Sequence, residues 1–427
     1  MSYFENDNTA GGLTPDPVKV SQPTGNRQPP GSSSDQRDSG SITSAILNEP
    51  NTGSGAPLAG LRGFHPGWFG AVMGTAVIGI AATLNPGGVV SFIPALRTLS
   101  QVMTILATVL GAVLLVGYIG RFIIHTDAAM TDLRDPVTGA LYATVPGGIL
   151  VLAATTSAVG PTWFAASTVR NIVIGLSWVG VPLAFIISVL FIYLLFMRSE
   201  IIPETVNGGW FIPPVVNIVV PLVLAPLVHG SSPATARFLM LTSYGFWGMG
   251  FLLYLLIMTM LHQRLILHPL PHAGLAPSFW IGLGPIGVGA LALLKMAAAG
   301  TLIFGPLTPT VALASKLVAT ILWGFGLWWI VAAAMLLIHY LRSGPIPYGI
   351  GWWGFTFPIG AYTVATVSLA KAWSLSGLDW AGAVLFILLG LFWLVVAGRT
   401  TWALLTREFS HPTSPAAPKS LPATLQS

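Results

Sequence analysis

Cysteine does not occur anywhere in the 427 residues, so disulfides, thiolate metal sites and cysteine nucleophiles are excluded together. Charge is almost as scarce. Only 7% of residues are charged, where a soluble domain carries roughly a quarter. Several motifs of soluble chemistry are missing as well: there is no P-loop, no GxSxG elbow and no HExxH. Gly282-Leu283-Gly284-Pro285-Ile286-Gly287 fits GxGxxG as letters, but it lies in a proline-broken apolar run rather than between a strand and a helix. No cofactor, no metal site and no ATP-driven step is expected.

What fills the chain instead is apolar. Hydrophobic residues make up 54% of it and the mean hydropathy is +0.78, so its natural solvent is lipid. The net charge of +5 sits mostly near span ends and in the tails, and implies no nucleic-acid partner. Residues 1–61, rich in Ser, Gly, Pro, Asn and Asp, read as a disordered cytoplasmic tail, and residues 406–427 as a second one. Between them, residues 62–405 form one transmembrane domain. Apolar stretches near the roughly 20 residues that cross a bilayer core fall at 66–85, 101–122, 137–158, 171–197, 209–229, 237–262, 278–300, 309–340, 348–370 and 379–404. They are continuous rather than alternating, which favours helices over a closed barrel. The fold class is therefore an all-α integral membrane protein with ten transmembrane helices. With the N-terminus inside, Arg121, Arg134, Arg198, Arg264, Arg342 and Arg399 lie in the cytoplasm, and only Arg97, Arg170, Arg237 and Lys371 fall outside. The bias places both termini in the cytoplasm.

Prolines follow a pattern on these spans. Pro146, Pro221, Pro285 and Pro358 lie inside the third, fifth, seventh and ninth, while Pro182 is the one interior proline of an even-numbered span. An interior proline frees a carbonyl and bends the axis, which is tolerated where protein or a wet cavity re-satisfies the backbone. The pattern suggests five helical hairpins whose odd members face a central pore.

Acids are informative by where they are not. Asp127, Asp132, Asp135, Glu200, Glu204 and Asp379 fall between spans, and the remaining seven fall in the tails. Cation channels and proton relays need acids at membrane depth, so both are disfavoured. Lys295 and Lys316 lie close to the hydrocarbon; Lys295 is a candidate for the pore or its vestibule, and Lys316 is expected to snorkel to an interface. His229, His262 and His339 lie at span ends and read as interfacial rather than as metal ligands. The field leans towards anions. Gly74, Thr75, Thr144, Asn217 and Thr363, on the inner spans, could line the pore or join helices to one another.

The ninth span, Gly351-Trp352-Trp353-Gly354-Phe355-Thr356-Phe357-Pro358-Ile359-Gly360-Ala361-Tyr362-Thr363, strongly resembles the ninth helix of the tellurite-resistance/dicarboxylate transporter family. That family includes fungal malate permeases, fungal sulfite efflux pumps and plant slow anion channels. The seventh span, from Pro277-Ser278-Phe279-Trp280 to Gly289, resembles the malate-permease branch. Trp68-Phe69-Gly70-Ala71-Val72-Met73-Gly74-Thr75 and Trp210-Phe211-Ile212-Pro213-Pro214 agree in position and type. The resemblance covers roughly residues 62–405. It implies five hairpins around a pore in each subunit, a homotrimer, and a phenylalanine plug on the ninth helix. Phe357, followed by Pro358, matches the plug position, and Phe355 is the alternative register.

The expected function is passage of a small anion across the plasma membrane, with a C4-dicarboxylate such as malate first. Proton-linked or efflux transport of sulfite- or tellurite-type oxyanions is the second reading, and a non-transporting structural or sensory subunit the third. An intramembrane enzyme would need polar groups clustered at membrane depth, and the spans hold none.

Overall fold

Runs of Leu, Val, Ile and Ala leave a backbone in lipid with no partner but itself, and the helix is the local solution. The computed structural model describes residues 59–199 and 201–406, and no strand forms among them. The expected tails fall outside the described residues except at 59–61 and 406. Ten helices of 15 to 36 residues carry the fold. They are α1 (Phe69–Thr83), α2 (Ile93–Ile124), α3 (Thr144–Val159), α4 (Ala166–Phe196), α5 (Ile212–Leu227), α6 (Pro233–Leu267), α7 (Leu283–Ala299), α8 (Thr308–Ser343), α9 (Thr356–Trp373) and α10 (Ser376–Leu405). The long eighth stretch is one helix.

Each odd helix packs on the even helix that follows it, giving five hairpins. The odd helices also pack on one another in sequence, α1 on α3, α3 on α5, α5 on α7, α7 on α9, and α9 returns to α1. The inner ring is closed. Spans containing α1, α3, α5 and α7 are 78–89% buried, whereas those containing the even helices are 17–28% buried. The exposed surfaces of the even helices are Val, Ile, Leu and Phe, such as Val116 and Ile123 on α2 and Leu391 and Leu394 on α10. Such a surface is stable only against acyl chains.

The even helices touch the ring along one narrow seam. On α2 the buried residues are Ser100, Thr104, Ala107, Gly111, Leu114, Tyr118 and Arg121, spaced alternately by four and three. This is the seam of a left-handed crossing, with small residues along its middle where the backbones approach. On α4 the equivalent stripe runs Val173, Ser177, Gly180, Ala184, Ser188, Phe191.

Among the described residues nine spans are long and apolar enough to cross a bilayer, and the one containing α9 is not one of them. Its composition explains why. Fourteen of its 18 residues are buried, including Thr356, Thr363 and Thr366, so little of it has to meet lipid. Close contacts keep it beside α1 along its length. A Cβ on Gly360 would fall 2.3 Å from Val77, and Lys371 Nζ donates to Leu84 O at 2.6 Å just past the end of α1.

The prolines sit differently from expectation. Pro146, Pro285 and Pro358 do not bend the middle of an α-helix; each is the third residue of α3, α7 or α9. Pro214 holds the same place in α5 and Ala71 in α1. First-turn amides have no intrahelical acceptor, so proline costs no hydrogen bond there. Tight-wound 3₁₀ segments precede four of the five inner helices, namely Pro66–Trp68, Gly208–Phe211, Ala273–Gly282 and Ile350–Phe355. The short helix Thr138–Leu141 precedes the other. Pro221 lies in the interior of α5, with Pro226.

Candidate functional site

Because the inner helices pack as consecutive odd members of hairpins, they run in one direction, and their first turns meet. A cavity of about 60 Å³ lies there. Its walls include Gly70 and Met73 of α1, Thr144 of α3, Ile212 and Val215 of α5, Gly284 of α7, and Phe357 and Pro358 of α9. The preceding segments add Gly67, Leu141, Ile281, Ile350, Gly351, Trp353 and Gly354. Five helix N-termini therefore converge on one apolar space. Each carries a partial positive charge of roughly half an elementary unit, which favours anions over cations at this mouth. Trp353 lines the space with its ring, and its indole N–H is buried without a partner.

A second cavity of about 30 Å³ lies further along the same axis. Every inner helix contributes two residues to it: Val77 and Ile80, Val151 and Ala154, Val219 and Leu222, Val288 and Leu291, Ala361 and Val364, with the last pair joined by Phe357. All are apolar. Since one water needs roughly 10–15 Å³ of such volume, each cavity holds a few waters at most. No charged residue lines either.

Phe357 is the one residue that lines both cavities. It occupies the second position of α9, just before Pro358. A Cβ on Gly284 of α7 would stand 3.9 Å from the edge of its ring, so the missing side chain leaves the ring room. Phe355 is turned elsewhere: it stacks on Phe392 of α10 with centroids 5.2 Å apart and meets Trp280 edge-on.

The remaining candidates separate into wall and packing. Thr144 lines the first cavity, and its hydroxyl donates to Pro66 O and Leu141 O at 2.7 Å. Thr75 Oγ1 accepts from Trp393 Nε1 at 3.0 Å, towards α10. Thr363 donates to Ile359 O within its own helix. Asn217 donates to Pro213 O, and its amide oxygen is buried without a partner. Gly74 faces Thr356, whose Oγ1 would stand 1.9 Å from an added Cβ. Pro146, Pro221 and Pro285 are buried but line neither cavity. Lys295 lies outside the ring, in a groove described below. Among the described residues no cluster of His, Asp or Glu could hold a metal.

Sequence reasoning did not single out the apolar wall residues, Trp353 among them. The available signal was positional. The residues at the second place of each inner helix, Gly70, Val145, Pro213, Gly284 and Phe357, are equivalent once the first turns are aligned, and only one is aromatic.

The first turn of α1 is held from outside the ring. Buried Arg121 donates to Phe64 O at 2.9 Å and to Asp132 at 2.6 Å. His65 Nδ1 accepts from Gly67 N at 3.1 Å, capping the 3₁₀ turn. Desolvation holds the His65 pKa down at about 4, with Asp132 and Asp135 opposing and Arg121 assisting.

A family profile described as voltage-dependent anion channel matches residues 63–401. An uncharacterized transporter of Methanocaldococcus jannaschii is 33% identical over 350 residues, covering 82% of this chain and 95% of the relative. A sulfite efflux pump of Trichophyton rubrum is 28% identical over 82% of this chain and 92% of its own length. The malic acid transport protein of Schizosaccharomyces pombe is 23% identical over 56% of each.

Proposed function

This multi-pass membrane protein belongs to the voltage-dependent anion channel family, and from that premise we propose that it passes a small anion along the axis of the inner ring, with Phe357 as the stopper. One observation carries the reading: two cavities, each walled by all five inner helices, share a single residue, the Phe357 ring. A ring across an apolar tube keeps it dry, and a hydrated anion then meets a desolvation barrier. Convergent helix N-termini set the sign of the solute, and the shortage of polar wall groups keeps binding weak enough for exit. Pro358 fixes the first turn that carries the ring.

In this reading α9 is the tenth span, at about 27 Å for 18 residues. Both termini face the cytoplasm, the chain sits in the plasma membrane, and three copies associate. C4-dicarboxylates such as malate are the first substrate class. Sulfite is the second, favoured by the longer coverage of the sulfite efflux relative. Uptake of labelled malate, succinate, sulfite and chloride into one preparation of proteoliposomes orders these substrates. Reversal potentials that follow the anion gradient support passive passage. Uptake that needs a pH gradient and ignores membrane potential refutes it in favour of proton coupling.

A further inference from the structure

The helix polarity that favours anions at one mouth opposes them at the other. Five C-termini point there, together on the order of −2.5 elementary charges. On that side a groove of about 680 Å³ gathers Lys295 of α7, Lys316 of α8 and Lys371 of α9, with the hydroxyl residues Thr301 and Ser368. No carboxylate lines it. The ion pairs found among the described residues, Arg62–Asp127 and Arg121–Asp132, lie at the opposite end of the bundle. The groove adjoins the passage, because Leu291 lines both it and the second cavity.

The three lysines are held differently. Lys371 Nζ donates to Leu84 O, with other hydrogens free. Lys316 Nζ stands 4.1 Å from the centre of the Trp373 ring, and the Trp373 indole donates to Thr320 Oγ1. Lys295 is exposed and has no ion pair among the described residues. Two ammonium groups thus rest on neutral partners, and the third is exposed in the groove. Three ammonium groups slightly exceed the roughly −2.5 charges of the five helix ends, and no carboxylate lines the groove to take up the excess.

We propose that this groove is a second anion site, a basin for a small dianion such as a dicarboxylate, sulfite or inorganic phosphate at the far mouth of the passage. The proposal rests on the passage reading for its role, which is to raise the local dianion concentration on that side. A dianion about 10 Å from each ammonium gains roughly a factor of two per lysine after screening. Loss of all three then weakens capture about fivefold to tenfold.

The test uses excised membrane patches, where every copy has one orientation, with Phe357→Ala holding the passage open. Adding Lys295→Gln, Lys316→Gln and Lys371→Gln together raises the half-saturating succinate concentration about fivefold or more from the lysine side. From the other side it is unchanged, and chloride currents change less than succinate currents. A triple arginine variant restores the original value, which excludes misfolding. Equal shifts from both sides overturn the proposal. So does an effect seen in vesicles containing phosphatidylglycerol but absent in pure phosphatidylcholine, which assigns the lysines to lipid headgroups. If Phe357→Ala carries no current, the passage reading fails instead. Titration of the purified protein with inorganic phosphate then decides the basin alone: binding that the glutamine variant keeps overturns it.

Discussion

Replacing Phe357 by alanine removes the one ring common to the two axial cavities. Those spaces, about 60 and about 30 Å³, then join into one column that water can enter. The effective cost of stripping an ion in a protein interior is several kcal/mol. If wetting spares about 3 kcal/mol of it, anion flux rises roughly a hundredfold, since 1.4 kcal/mol is a factor of ten. The ring faces cavities on both sides, so the loss of stability should fall at or below the low end of the roughly 3–5 kcal/mol typical for a packed Phe→Ala. The assay is current across planar bilayers, with detergent melting curves to confirm folding. Phe355→Ala is the internal control. It removes the stack on Phe392 and the edge contact with Trp280, so it should lower the melting temperature and leave flux low. A folded Phe357→Ala protein with unchanged flux refutes the stopper. Equal gains from both variants refute the register.

Three further outcomes follow from the packing around the ring. A Cβ on Gly287 would lie 2.6 Å from the backbone of Ala361 and Tyr362, so Gly287→Ala should separate α7 from α9 and lower the melting temperature by several degrees. Asp132→Asn leaves buried Arg121 without its carboxylate, and should destabilise by about 2–3 kcal/mol, discounted because Asp132 is 33% exposed; the readout is a melting curve compared with Arg121→Met. His65 is neutral in the folded protein down to about pH 4, whereas an unfolded histidine protonates near 6.5. Stability should therefore be full above pH 6.5 and fall by about 1–2 kcal/mol towards pH 4 once solvent screening at the half-buried ring is allowed for. His65→Asn, which keeps a capping acceptor, should flatten that slope in melting curves taken across pH.

Much of the architecture was legible because the bilayer imposes it. Continuous apolar runs have to be helices, and the odd-numbered prolines separated inner from outer members even though their local role was misread. A proline in a span looks like a kink, but the switch from 3₁₀ to α winding that makes it a first-turn residue is set by contacts outside its own segment. Pro285, in the first turn of α7 after Ala273–Gly282, is the plainest case. Site residues were harder. Thr75 and Thr363 look like solute ligands in one dimension, yet Thr75 Oγ1 accepts from Trp393, Thr363 donates to Ile359 O, and neither lines a cavity. The walls are instead Val, Leu, Ile, Ala and Gly, which a sequence cannot tell from lipid-facing residues of the same type.

Composition by itself determined the solvent, the helical class, the absence of thiol chemistry and the lean towards anions. Those depend on counts and periodicity, which survive projection onto a line. Tertiary structure alone decided that α9 closes the ring against α1, that Phe357 rather than Phe355 stands between the cavities, and that Lys295, Lys316 and Lys371 share a groove. The physical reason is that a helix apolar on every face has almost no preferred direction until its neighbours are in place; only packing turns one side of α9 towards the axis and the other towards α10.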